Sequence, residues 1–253
     1  LRLEGVHTRT TGGAWSIDGR LVQEPPHFRA TGDAAVDSGA RIETHPIELT
    51  GGSATFSLAA TQRPIGIAVD PESHLLRRLD ASEIPPAVNA LKTSPGVTLV
   101  LAHRAAADPR RIADILIRSL GLKSPAVVSE DEFGAALESG RDLILVGLPR
   151  EPARLPDLPA GVALGPERFT LDRETFERRD ETFFGVFRHP HAAERVMAVL
   201  LALGPDGAES AAGKLTHYGR YGFLAFRNGA NTVKGSWPPD PSPLAYRWTS
   251  AGN

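Results

Sequence analysis

Along the first 70 residues apolar positions recur with a period of two, and turn residues interrupt them at short intervals. Leu1, Leu3 and Val6 open the pattern; Trp15 and Ile17 alternate with polar neighbours ahead of Leu21 and Val22. Further short runs cover residues 28–30, 41–49, 54–58 and 65–69. Between the runs stand Thr11-Gly12-Gly13, Asp18-Gly19, Gly32-Asp33, Ser38-Gly39 and Thr50-Gly51-Gly52. A period of two puts every second side chain on one face of a pleated strand, so the pattern predicts a small antiparallel β-sandwich. Trp15, Ile17, Ile47, Leu49, Phe56, Leu58, Ile67 and Val69 are its expected inward residues. Asp70-Pro71 ends the last run, because proline cannot donate to a ladder and restricts the residue before it. Residues 75–79 read as a short helical or extended connector, Glu83-Ile84-Pro85-Pro86 as a linker, and 87–91 as one or two helical turns. The expected division is a β-sandwich domain over 1–84 and an α/β domain over 85–253.

From residue 97 the period changes. Residues 97–101 are continuously apolar, the mark of a strand buried on both faces. Asp108-Pro109 supplies an N-cap and first-turn proline for a helix with Ile112, Ile115, Leu116 and Leu120 on one side, and Gly121 ends it. Residues 125–129 predict a second strand, Ser129 with Glu132 a capping box for a helix to residue 139, and 143–148 a third strand. Strand and helix in alternation predict a three-layer α/β domain with a mostly parallel sheet. The proline-rich residues 151–161 replace a crossover helix. Residues 168–176 and 182–187 are expected to form two strands, an antiparallel pair about the charged segment 177–181, which reads as a solvated turn. His189-Pro190-His191 then leads into an expected helix over 192–203, with Val196, Val199, Leu200 and Leu203 facing the sheet. Residues 214–226 hold Lys214-Leu215-Thr216-His217-Tyr218-Gly219-Arg220-Tyr221-Gly222, read as a corner, and a strand over 221–226. Asn228-Gly229 between apolar runs predicts a hairpin to a strand over 231–237, and residues 238–253 an extended tail. Glycines at such a corner imply either positive φ or a close backbone approach.

Composition narrows this picture in a few places. A formal charge of −2 gives no reason to expect a nucleic-acid partner, and no apolar run approaches the roughly 20 residues that span a bilayer. The absence of cysteine excludes disulfides and thiolate metal sites and leaves the compartment open, cytoplasmic or periplasmic. Residue 1 is Leu and the single methionine is Met197, so the expectation is a chain cut from a longer protein.

Candidate chemistry is sparse. His-Glu-x-x-His does not occur, and His189 and His191, two residues apart, would not share a helical face for a metal. Residues 102–108 after the first parallel strand lack the glycines of a phosphate loop, and no Gly-x-Ser-x-Gly elbow occurs. A parallel sheet binds ligands beyond the carboxyl ends of its strands, where His103, Arg104, Arg150, Arg188 and His189 are expected; the plainer reading makes them solvated loop residues. His217, Tyr218, Arg220 and Tyr221 form the other candidate binding group. A tyrosine can donate a hydrogen bond and a histidine titrates near neutrality, but rings at a sheet corner also pack and bond nearby backbone.

Asp70-Pro71, residues 75–79, Glu83-Ile84-Pro85-Pro86, residues 214–226, residues 234–237 and Ser242-Pro243-Leu244 occur here in one order. In that order they resemble the C-terminal part of bacterial proteins related to M1-family (gluzincin) zinc aminopeptidases. The resemblance implies a β-sandwich following a catalytic domain, an α/β domain in place of a helical C-terminal domain, and an upstream peptidase domain of the same polypeptide as partner. Zinc is then expected only in that upstream domain, with no cofactor here, and no catalytic residue carries over. The reading that follows is a non-catalytic C-terminal fragment that braces or caps the peptidase domain or mediates interactions. Its rivals are a stand-alone α/β module binding a small molecule or protein, and a hydrolase built on His217 and the tyrosines.

Overall fold

A computed structural model describes residues 1–248. The chain divides into two compact units: residues 1–84 together with the segment from Pro239, and Pro85–Pro238.

The first unit contains β1 (Arg2–Thr11), β2 (Ala14–Val22), β3 (Ala30–Asp37), β4 (Ile42–Leu49), β5 (Ser53–Ala60) and β6 (Gly66–Val69). β2 pairs antiparallel with both β1 and β5, and β3 with both β4 and β6. Ile17, Leu21 and Leu58 of the first sheet share a core with Val36, Ile47, Leu49, Ile67 and Val69 of the second, and Trp15 and Phe56 pack at its rim. The period-two alternation thus selects the side chains that face the other sheet. Phe28, expected in a strand, is 66% exposed and lies before β3. Its backbone is held in a turn instead: Phe28 N–H donates to Gln23 Oε1 at 3.2 Å, and Gln23 Nε2 donates to Phe28 O at 2.7 Å.

The second unit is built on a seven-stranded sheet. α1 (Val88–Thr93) precedes β7 (Val97–Leu101), α2 (Pro109–Leu120), β8 (Ala126–Ser129), α3 (Phe133–Glu138) and β9 (Asp142–Val146). Next come β10 (Val162–Leu164), β11 (Phe169–Leu171) and β12 (Glu174–Phe176), which form a small antiparallel sheet of their own. β13 (Glu181–His189), β14 (Ala192–Ala202), α4 (Ala208–Lys214), β15 (Phe223–Arg227) and β16 (Ala230–Gly235) complete the unit. The large sheet runs β16-β15-β13-β14-β9-β7-β8. β8, β7, β9 and β14 pair in parallel, while β14–β13, β13–β15 and β15–β16 are antiparallel. α1, α2 and α4 cover one face, over Leu99, Ile144, Phe184 and Phe226. α3, the small sheet and Trp237 cover the other, over Leu145, Phe183, Phe187 and Val199. Three layers result, and α2 begins and ends as the sequence predicts: Asp108 accepts from the Arg110 and Arg111 N–H groups, and Gly121 is left-handed at φ 62°.

Several expectations are corrected. Residues 192–203 are not a helix; they form β14, hydrogen-bonded to β13 on one side and β9 on the other. Residues 196–202 are apolar at every position and buried throughout, the condition of a central strand, and helical spacing is satisfied trivially by such a run. His189-Pro190-His191 therefore closes a hairpin. β12 does not pair with β13; it folds back on β11 through Asp172, which adopts φ 58°. Glu181, in the segment read as a solvated turn, is 1% exposed and starts β13.

The crossover helix after β14 is α4, whose buried residues are Ala208, Ala211 and Ala212, too small to raise an amphipathic signal. A 3-10 turn over Leu215–Tyr218 follows, so the strand begins at Phe223 and Tyr221 precedes it. The Asn228-Gly229 hairpin is present, with both residues at positive φ (47° and 69°) as a type I′ turn requires.

The tail as far as residue 248 corrects the expected grouping of 85–253, and the last five positions of the expected extended tail, 249–253, lie outside the described residues. β17 (Ala245–Arg247) pairs antiparallel with β6, extending the second sheet of the first unit, and Leu244 is buried in that unit's core. Leu3 N–H donates to Pro243 O and Val69 N–H to Leu244 O, each at 2.8 Å. No helix among the described residues is long and apolar enough to cross a membrane.

Candidate functional site

In the first unit, the segment leaving β6 is held by a buried carboxylate. Asp70 adopts φ 55°, and its Oδ1 accepts from His74 N–H at 2.7 Å and Leu75 N–H at 3.1 Å. Its Oδ2 accepts from Arg77 Nε at 3.0 Å. The rest of the Arg77 fork reaches Glu83, Nη1 to Oε2 at 2.7 Å and Nη2 to Oε1 at 2.9 Å. Glu83 also accepts from Asp80 N–H at 2.8 Å, closing a capping box on the 3-10 turn Ala81–Glu83, and from Ser242 Oγ at 2.7 Å. Hydrogen bonds from Arg77 first, then from Ser242 and the Asp80 backbone, hold the Glu83 carboxyl down at about 2 despite its burial. The same contact with Glu83, and then with Asp70, raises Arg77. Asp70, Arg77, Glu83 and Ser242 are thus one charge-assisted network that fastens the returning chain to the linker.

The block around His217 is a second fastening, inside the second unit. Val88 N–H donates to Tyr221 O at 3.0 Å and Asn89 N–H to Gly219 O at 2.8 Å, which joins α1 to the turn. Gly222 O accepts from Val186 N–H and Gly222 N–H donates to Gly235 O, each at 2.8 Å. Trp237 Nε1 donates to Val186 O at 2.6 Å. Of the two explanations for its glycines, close approach applies. Gly219 sits at φ −46°, open to any residue, but a Cβ there would overlap the Asn89 carboxamide. A Cβ on Gly222 would lie 2.7 Å from Pro86 O and 2.8 Å from Trp237 Cδ1.

On the outer side of this turn His217 and Arg220 are exposed and Tyr218 and Tyr221 half-buried. Arg220 Nη2 donates to the Tyr221 hydroxyl at 2.9 Å, and the guanidinium carbon lies 5.0 Å from the ring centre. Lys234 Nζ is 5.3 Å from the same centre. The bond from Arg220 is the main cause that lowers the Tyr221 phenol, helped by the charges of Arg220 and Lys234. Tyr218 packs inward, edge-on to Phe226 at 5.7 Å between centres.

The remaining candidates do not converge. His103 and Arg104 follow β7 at the carboxyl edge of the parallel strands; Arg188 and His189 end β13 at the opposite edge, because β13 runs antiparallel to β14. At the carboxyl edge the loops after β7 and β9 are tied together: Arg104 N–H donates to Leu148 O at 3.2 Å and Leu148 N–H to Arg104 O at 3.0 Å. Buried Glu130 accepts from His103 N–H at 2.7 Å and Arg150 N–H at 2.6 Å. Arg150 Nη2 also lies 3.3 Å from His103 Nδ1. A crevice opens at such a switch point when the two loops diverge, and here they pair.

At the other edge His189 is 3% exposed. Its Nδ1 accepts from His191 N–H at 3.1 Å, so the neutral ring carries its proton on Nε2, which has no partner among the described residues. Burial, then the neighbouring His191, pull its pKa down. His191 Nδ1 meets Glu138 Oε1 at 2.9 Å rather than sharing a ligand with His189. No group of three or more metal-ligating side chains occurs among the described residues.

Glu130, Glu181 and Asp142 are buried carboxylates that sequence reasoning did not single out. Glu181 accepts from Arg178 N–H and twice from Arg227, at 2.9, 3.0 and 2.7 Å; Asp142 accepts from Val196 N–H at 2.7 Å. Their donors are distant in sequence or are backbone groups, so only the capping box beside Glu130 gave a local signal. Neither a known family model nor any curated protein matches the chain.

Proposed function

We propose that this chain is a non-catalytic module that braces, or mediates interactions of, a neighbouring protein domain. The observation that carries the reading is positive: the segments that carry the resemblance bond to one another and to backbone. Asp70, Arg77, Glu83 and Ser242 fasten the C-terminal segment to the linker, and Gly219, Tyr221, Gly222 and Trp237 fasten α1 and the hairpin to the sheet. The neighbouring domain we propose is a zinc peptidase domain of the M1 kind in the same polypeptide. The ordered resemblance of the segments named above motivates that partner.

The test is direct. The chain, purified without added metal, is expected to carry no stoichiometric zinc and to release nothing from aminoacyl chromogenic substrates. About one zinc per chain, with hydrolysis abolished by a chelator, overturns the non-catalytic reading. An upstream reading frame encoding His-Glu-x-x-His supports the M1 partner, and a native start codon at residue 1 removes it.

A further inference from the structure

The outer side of the tyrosine turn gathers two cations beside one ring. Among the described residues, neither Arg220 nor Lys234 lies in ion-pair range of a carboxylate, whereas Arg9, Arg29 and Arg111 do, with Asp18, Glu48 and Glu209. Both are exposed, and both approach the ring of Tyr221. Two like charges about one ring leave the outer side of the turn locally positive, in a chain whose formal charge is −2. The Tyr221 oxygen already accepts from Arg220, so the phenol proton is free to be donated outward.

Three donors therefore gather about one ring: the phenol, the remaining guanidinium N–H groups and the ammonium. The main chain that carries Arg220 and Tyr221 is held before any ligand arrives. Tyr221 N–H donates to Tyr218 O and Tyr221 O accepts from Val88, both at 3.0 Å, and Arg220 O accepts from Ser236 Oγ at 3.4 Å. A main chain fixed in advance loses little freedom on binding. His217 on the same turn is exposed, and Lys92 donates to Thr216 O at 3.4 Å, adding positive charge beside it.

We infer that Arg220, Tyr221 and Lys234 form a docking point for the carboxylates of an acidic segment on a protein partner. The inference rests on the reading of the chain as an interaction module and names the chemistry of its partner. An arginine fork matches a carboxylate in two parallel hydrogen bonds. The ring beside the two cations offers apolar surface to the methylenes of Glu side chains, and two separate cations suit neighbouring acidic residues better than one compact phosphate.

The test titrates the whole chain into a fluorescein-labelled deca-glutamate peptide, with deca-glutamine as control, and reads anisotropy at low salt. Deca-glutamate is expected to bind and deca-glutamine not, with affinity falling as salt screens the charges. The double variant Arg220→Ala, Lys234→Ala is expected to weaken binding about tenfold, the effect of two exposed charge contacts. Tyr221→Phe keeps the ring and removes the donor, for a loss of about threefold. Arg111→Ala, which removes an exposed arginine already paired with Glu209, is expected to change nothing. Circular-dichroism melting checks that each variant is folded. Undiminished binding by the folded double variant overturns the inference, as does equal loss in Arg111→Ala. Displacement of the peptide by millimolar phosphate, but not by equal ionic strength of chloride, assigns the patch to phosphate and also overturns it. Zinc content and hydrolysis are measured separately, so failure of the non-catalytic reading is seen independently of this one.

Discussion

Glu83→Gln removes one charge from the network that fastens the linker and the C-terminal segment, and its cost can be worked from the structure. The folded carboxyl is held at about 2 against an ordinary 4.5, chiefly by the Arg77 fork. A tenfold change in proton affinity corresponds to about 1.4 kcal/mol, so the difference is worth about 3.5 kcal/mol at most. The side chain is 11% exposed, and partial screening brings a reasonable value to about 2 kcal/mol. By linkage, a depressed folded pKa stabilises the protein above pH 4.5. The contribution is lost as pH falls from 4.5 toward about 2, where the unfolded chain takes up a proton that the folded one refuses.

Wild type is therefore expected to lose about 2 kcal/mol more stability across this window than Glu83→Gln, which starts lower at neutral pH by a similar amount. Urea unfolding from pH 2 to 7 measures this, with hydrogen exchange at Val69, whose N–H donates to Leu244 O, reporting on the first unit alone. Glu4 and Glu43 are also held low, by Arg20 and Thr61 respectively, but they are common to both proteins and cancel. Parallel pH profiles for the two proteins would refute the assigned role of Glu83.

Further substitutions probe the second unit. Gly222→Ala should destabilise by about 1–3 kcal/mol, because its Cβ would lie 2.7 Å from Pro86 O and 2.8 Å from the buried Trp237 ring. Gly219→Ala, which meets only the exposed Asn89 carboxamide, should cost less than about 1 kcal/mol in the same thermal unfolding, and equal losses at the two positions would refute this account of the turn. Glu130→Ala leaves the His103 and Arg150 N–H groups without their acceptor, at a cost of about 2–4 kcal/mol for the pair. Exchange at those two amides should accelerate before any in β7 or β9, and unchanged protection at both would show that the loops are held by other means.

How much of this was legible depended on whether the informative contacts were local. The sandwich strands, α2 with its Asp108 cap and Gly121 stop, and the Asn228-Gly229 hairpin are each specified within a few residues of themselves, and the sequence shows them. β14 was not legible because residues 196–202 carry no polar residue to mark a face. Only its two neighbours, β9 and β13, distinguish a buried strand there from a buried helix. That single misreading also misplaced Arg188 and His189. With a helix over 192–203, β13 could run parallel and end beside His103; with a hairpin it must end at the opposite edge.

The candidate site was illegible for a related reason. A single sequence presents Asp-Pro, Pro-Pro, Gly and Tyr as punctuation, and clusters of punctuation resemble a site. Glu83 meets Ser242 across 159 positions and Trp237 meets Val186 across 51. Residues needed for such long closures cannot announce their partners locally, yet they are the ones whose types are most constrained. Tyr221 shows both demands in one residue: its backbone closes on Val88 and Tyr218, while its hydroxyl accepts from Arg220 with Lys234 beside the ring. Closure uses the main chain of that residue and its ring, which packs against the core beside Tyr218 and which phenylalanine would also supply. The hydroxyl and the two cations beside the ring are not needed for closure, and for that reason they are where a partner is to be sought.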